Sequence, residues 1–370
     1  MTHLRLGRRQ LVWGLGTLAL LPTGCTTSAG TWWVSAQGDD AERFSLLAAS
    51  PAGPTTNVPS GFRGHGLAVH PQISGRVVMF ARRPGTEGLV VDLGEPRSAT
   101  SLACRSGLRM QGHGAFSPDG QWLFGTLADE ATGAGALGVW RTDSWAQVDE
   151  LPTQGIGPHE VRLMPDGRTL VVANGGLLTR PETGREVLNL DTMDSSIVFV
   201  DIDSGEVNEQ ARVGVPKASL RHLDITDDGV VVVGAQIQRA AVGHDDVLPL
   251  VAAHRPSTGL VAFDTPDLVA AMADYVGSVT LSSRSRIAAT SSPRGNLVLF
   301  WDIDRGALVG QHAFTDVSGL AVDEAAGTFV LTNSFGQVRT LDAFTLAEDE
   351  SARRDFDDVR WDNHLTLVTS

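Results

Sequence analysis

Two cysteines, a single tyrosine and none of the common catalytic signatures mark this chain of 370 residues first by what is missing. Cys25 closes an N-terminal apolar run, and Cys104 lies in the body of the chain. Loss or lipidation of Cys25 leaves Cys104 without a partner, so a disulfide framework is excluded as the source of stability. Cys104 itself reads as a small buried strand residue rather than a reactive thiol. Basic residues are few, 29 against 43 acidic ones, for a net charge of −14. That balance excludes a nucleic-acid partner, whose backbone demands a basic face. The apolar run from Leu11 to Leu21 is too short for a permanent membrane anchor. No nucleophile elbow, phosphate loop, Cys-x-x-Cys-His haem site or zinc-protease helix occurs, which argues against an enzyme.

What is abundant is glycine, at 41 residues, set with Asp and Pro between short apolar runs. Such punctuation suits an all-β chain rich in turns. One pattern repeats: a small residue, a histidine or polar residue, then an alternating apolar strand and a turn. It begins at Gly64-His65-Gly66, Gly112-His113-Gly114, Pro158-His159-Glu160, Arg221-His222-Leu223, Gly277-Ser278-Val279 and Ser318-Gly319-Leu320, with a weaker seventh copy at Asp358-Val359-Arg360. The intervals are 48, 46, 63, 56, 40 and 41 residues. A period of this size, with four strands in each unit, predicts a seven-bladed β-propeller with the repeated motif as the innermost strand of each blade. Pro118-Asp119-Gly120 and Pro165-Asp166-Gly167 supply turn chemistry after two of these strands. The last copy lacks a strand. Gly30–Ala36 is expected to close the last blade as its outer strand, which also removes exposed edges. Insertions after the second strands of the third and fourth blades, Gly175–Asn189 and about Gln236–Pro256, are candidates for a functional face.

Residues 1–29 read as an export signal and residues 30–370 as the propeller. Arg8-Arg9 before the apolar run resembles a twin-arginine address, a route for proteins folded before export. Gly24-Cys25 resembles a lipoprotein cleavage site, although Pro22 stands where that pattern has leucine. Cys25 is therefore the lipidation candidate, and membrane association is expected only through such an anchor.

His65, His113, His159 and His222 occupy one place in four consecutive blades, so rotation about the propeller axis relates them. The register predicts that they converge on the channel. Imidazole ligates Fe, Cu and Zn, so these four residues, with Glu160 beside His159, are candidate ligands for a transition metal. Asp316 adds a further carboxylate nearby. The same histidines could instead clasp neighbouring blades, and a one-residue slip would reverse their facing. Arg180, Arg185 and Arg221 are candidates for an anionic ligand, because the guanidinium fork matches carboxylates.

The Arg8-Arg9 signal, the Gly112–Gly120 strand and turn, and Gly157-Pro158-His159-Glu160 with the Asn174-Gly175-Gly176 run resemble a bacterial periplasmic propeller family known as domain of unknown function 1513. The Thr179–Arg185 insertion and Leu220-Arg221-His222-Leu223 extend that resemblance over most of the chain beyond the signal. It implies twin-arginine export and a fold similar to WD40-like and quinoprotein-like propellers. It also implies a setting among periplasmic iron-uptake proteins, because members are often encoded beside imelysin-type iron-regulated proteins and a di-haem peroxidase-like protein. Two functions are expected: a non-catalytic binding or scaffold protein linked to iron or another metal, or a metal-dependent lyase or oxidoreductase that uses the histidines.

Overall fold

The computed structural model describes residues 30–38, 41–53, 55–184, 186–243 and 246–369. The expected export signal with Arg8, Arg9 and Cys25, and the insertion residue Arg185, lie outside the described residues. The described chain forms seven four-stranded antiparallel sheets, and successive sheets contact through their first strands. It is a seven-bladed β-propeller. The innermost strands are Gly64–Val69, Leu108–Phe116, Pro158–Leu163, Ala218–Ile225, Ser278–Ser282, Val317–Asp323 and Thr366–Thr369.

The Pro-Asp-Gly turns behave as their chemistry requires. Asp119 accepts hydrogen bonds from the Ser117 hydroxyl at 2.6 Å and the Gln121 amide at 3.0 Å. Asp166 accepts from the Arg168 and Thr169 amides, both at 2.9 Å. Each turn then feeds a second strand whose alternate side chains pack against the next blade. The cores therefore lie between blades. One cluster joins Val78, Phe80 and Leu102 of blade 1 to Phe116, Leu123 and Trp140 of blade 2. The Trp140 indole donates to the Ala103 carbonyl at 2.9 Å, tying these blades by one directed bond.

Closure differs from the sequence expectation in two respects. The N-terminal segment supplies three strands of the seventh blade, Thr31–Gly38, Phe44–Ala49 and Thr55–Pro59. The first of these lies beside the innermost strand rather than at the outer edge, pairing Trp32 with Val368 and Val34 with Thr366. The chain's last strand ends at the axis with one open edge, and a meander of three strands is what completes a four-stranded blade there. The seventh copy also begins later than Asp358. Asp358 and Val359 lie outside any strand, Trp361 bridges to Gln37, and the innermost strand follows His364. Among the described residues no helix is long and apolar enough to cross a membrane.

Candidate functional site

The seven equivalent axial positions are His65, His113, His159, His222, Ser278, Ser318 and His364. Five of the seven inner strands break register there. The shifts fall between Gly64 and Leu67, Met110 and Gly114, Pro158 and Glu160, Leu220 and His222, and Val317 and Gly319. A bulge places two residues opposite one and re-aims the extra side chain. His65, His113 and His159 fall within these breaks, whereas His222 pairs with Gly234 beside the bulged residue Arg221 and His364 precedes its strand; all five imidazoles turn into the channel. Going round, ring centroids are 4.8 Å apart for His65 and His113 and 5.1 Å for His113 and His159. They are 4.6 Å apart for His159 and His222, His222 and His364, and His364 and His65. The two serines leave room for His222 and His364 to meet across the gap.

Glycines beside the histidines make this approach possible. A Cβ on Gly66 would lie 2.5 Å from His113 Nδ1, and one on Gly112 would lie 2.4 Å from His65 Cδ2. Gly112 also holds a φ of +109° inside its bulge, a conformation closed to side chains. The Gly-His-Gly repeat is thus the sequence form of imidazoles packed over their neighbours' backbones.

All five rings are buried. Burial holds each well below the ordinary histidine value, and crowding by nearby imidazoles and arginines adds to it, so the rings are neutral. The Nε2 atoms of His65, His113 and His364 are buried without a hydrogen-bond partner. His222 donates from Nδ1 to Glu160 Oε2 at 3.1 Å, which leaves its Nε2 lone pair available. His364 Nδ1 lies 3.3 Å from the Ser278 hydroxyl, and His65 Nδ1 lies 3.3 Å from the Asn363 amide. Burial works against the charge on Glu160, but His113 and Arg162 outweigh it and the carboxyl lies below its usual range. With His113 neutral, the permanent charge is that of Arg162, whose Nε donates to Glu160 Oε1 at 3.0 Å.

Two sets of three nitrogens lie within 4.8 Å of one another: His65, His113 and His159, and His113, His222 and His364. Tetrahedral nitrogens on a zinc ion stand about 3.4 Å apart, so modest ring rotation closes either set. The sets are electrostatically unequal. Arg221 Nη2 lies 3.4 Å and 3.5 Å from the two nitrogens of His159 and places a fixed positive charge beside the first set. The second set has the Glu160 carboxylate on His222 and a hydroxyl on His364, the outer partners that orient metal-ligating histidines.

The ring also partitions the channel. His65, His159 and His222 line a cavity of about 1010 Å³ on one side. His113, His364, Glu160, Arg162 and Asp224 line one of about 500 Å³ on the other. Both sequence insertions reach the larger cavity, through Leu177–Arg180 and through Gln236 and Gln238. Arg180 sits exposed on its rim and donates to the Ala131 carbonyl at 3.0 Å. Asp316 lines the same cavity, holds the Ser334 hydroxyl and does not join either nitrogen set. Cys104 is half-buried, donates to the Leu108 carbonyl at 3.3 Å, and burial pushes its thiol up, which disfavours the thiolate.

His364 is the residue that sequence reasoning left out of the set. Its signal was present, because His364-Leu365-Thr366-Leu367-Val368 repeats the pattern of His65-Gly66-Leu67-Ala68-Val69. Reading the seventh copy from Asp358 hid that match. Other histidines do structural work. His70 Nδ1 accepts the Gln72 and Ile73 amides at 3.1 Å and 3.0 Å, and His254 Nε2 meets Glu209 at 2.7 Å.

No curated protein matches the chain. Among solved structures it is similar to Kuenenia stuttgartiensis hydrazine synthase, at 18% sequence identity and a TM-score of 0.64, over 80% of this chain and 89% of that one. At that identity the likeness shows the propeller fold alone. A family model matches residues 58–368, and the chain belongs to the family described as "Protein of unknown function (DUF1513)".

Proposed function

We propose that this protein is an exported, periplasmic metal-binding propeller that holds one transition-metal ion on its axis through His113, His222 and His364. The observation that carries this reading is a ring of buried, neutral imidazoles in which the Nε2 atoms of His65, His113 and His364 lack a hydrogen-bond partner. A buried polar atom left unsatisfied costs about 1–3 kcal/mol, and a metal ion removes that cost for its ligands. An all-nitrogen set suits copper, zinc or ferrous iron and not calcium or magnesium. Glu160 acts as the orienting partner of His222 rather than as a ligand. Export by a twin-arginine route fits a metal sealed between two cavities, because that route carries folded, loaded proteins. The periplasmic iron-uptake proteins implied by the family resemblance are the partners in this reading.

The test is metal titration of the stripped protein with copper, zinc and ferrous iron. Wild type is expected to bind one equivalent. His113→Ala, which removes the nitrogen common to both sets, is expected to lose at least about 100-fold in affinity. Unchanged stoichiometry and affinity in that variant would sink the assignment. A second reading, a metal-dependent lyase or oxidoreductase, is favoured by the larger cavity opening onto His65, His159 and His222. X-ray absorption of the loaded protein separates the two. A shell round the three histidine nitrogens with no exchangeable ligand means binding only, and an exchangeable water in that shell means a catalytic site.

A further inference from the structure

The larger cavity carries charge opposite to that of the molecule. The chain has a net charge of −14, yet eight arginines and four carboxylates line this space. The carboxylates have partners at the rim. Asp362 takes two N–H groups of Arg63 at 2.9 Å, and Glu130 pairs with Arg109. Asp129 accepts the Ala131 and Thr132 amides at 3.1 Å and 2.7 Å, and Asp316 accepts from Ser334. The arginines are spread round the axis. Arg82 comes from blade 1, Arg109 from blade 2, Arg180 from the blade 3 insertion, Arg221 from blade 4, Arg294 from blade 5 and Arg360 from the lead-in to blade 7. Six of seven blades thus direct a guanidinium to one mouth.

The chemistry of these cations is specific. Lys217 is the chain's one lysine, so the positive lining is built wholly from planar, bidentate, weakly hydrated groups that match carboxylate and phosphate oxygens. Arg221 is the deepest, only 8% exposed, and stands beside His159 where the cavity meets the imidazole floor. Arg294 stands at the rim with its guanidinium 4.6 Å above the Tyr275 ring. The volume lies in the range of small-molecule sites. A nucleic acid is excluded by the acidic remainder of the surface.

We propose that this vestibule binds a small polyanion, a molecule with two or more carboxylate or phosphate groups, seated with one anionic oxygen against Arg221 above the histidine floor. Positive groups on opposite walls then engage separate anionic groups of one ligand, which a single anion cannot exploit. The proposal does not rest on the metal reading, because no arginine is a proposed metal ligand and, of the three ligands, only His222 lines this cavity.

The test is calorimetric titration of the metal-free, full-length protein with citrate, pyrophosphate and inorganic phosphate. At least one of the two polyanions is expected to bind, more tightly than inorganic phosphate and more weakly as salt rises. Citrate alone would mark a polycarboxylate ligand, and pyrophosphate alone a polyphosphate. Arg221→Gln is expected to weaken binding at least about tenfold. Arg294→Gln, an exposed change that does not depend on core packing, is expected to weaken it several-fold. His113→Ala should keep polyanion binding within about twofold while losing metal, so the two readings fail separately. No binding of either polyanion, binding no tighter than inorganic phosphate, or affinity unchanged in both arginine variants would overturn the proposal.

Discussion

The five axial imidazoles share one energetic fact: each is neutral in the fold because burial penalises its charged form. In the unfolded chain the same groups titrate near about pH 6.5. Below that value the unfolded state binds protons that the folded state refuses, so stability rises with pH through this window and is lost as pH falls. Each imidazole adds a slope of up to about 1.4 kcal/mol per pH unit. The metal-free protein should therefore lose melting temperature steeply between about pH 7 and about pH 5. His65→Asn should remove about one proton from the uptake on unfolding. A flat profile over that range would contradict the neutral ring. Four of the five residues were legible from the repeat itself, and so was Glu160 beside His159. Their contacts were not, because 46 to 63 residues separate the first four histidines along the chain and nothing in that spacing says which way a ring faces.

For His65, His113 and His159 the bulge is the element that decides the facing. Gly112 sits in the bulge of blade 2 at φ +109°, and a methyl there would meet the His65 ring. Gly112→Ala is expected to destabilise the protein by about 1–3 kcal/mol, measured by chemical denaturation. Wild-type stability would refute the account of the Gly-His-Gly motif given above. Strands and turns were readable from alternation and from Pro-Asp-Gly. The bulges were not, since one extra residue within an apolar strand leaves no mark on its composition. That is also why clasping neighbouring blades and pointing into the channel remained equal options until the rings were seen to meet.

At the scale of the molecule, closure sets both the ring and its surroundings. The last strand, Thr366–Thr369, pairs with Thr31–Val34, and this pairing carries His364 to the axis beside His65 and His222. A folded, loaded propeller is what a twin-arginine address would carry. Arg8→Lys with Arg9→Lys is therefore expected to leave the protein in the cytoplasm on fractionation, with its fold and metal site intact. Export of the double variant at wild-type levels would remove that part of the proposal. By itself the sequence determined the blade count, the turn chemistry and the equivalence of His65, His113, His159 and His222, because each is written as a repeat in local order. Only the tertiary structure decided that His364 completes the ring, that the N-terminal segment supplies three strands, and that arginines from six blades share one mouth. Those facts depend on a circle joining residues from opposite ends of the chain, and no local pattern encodes that closure.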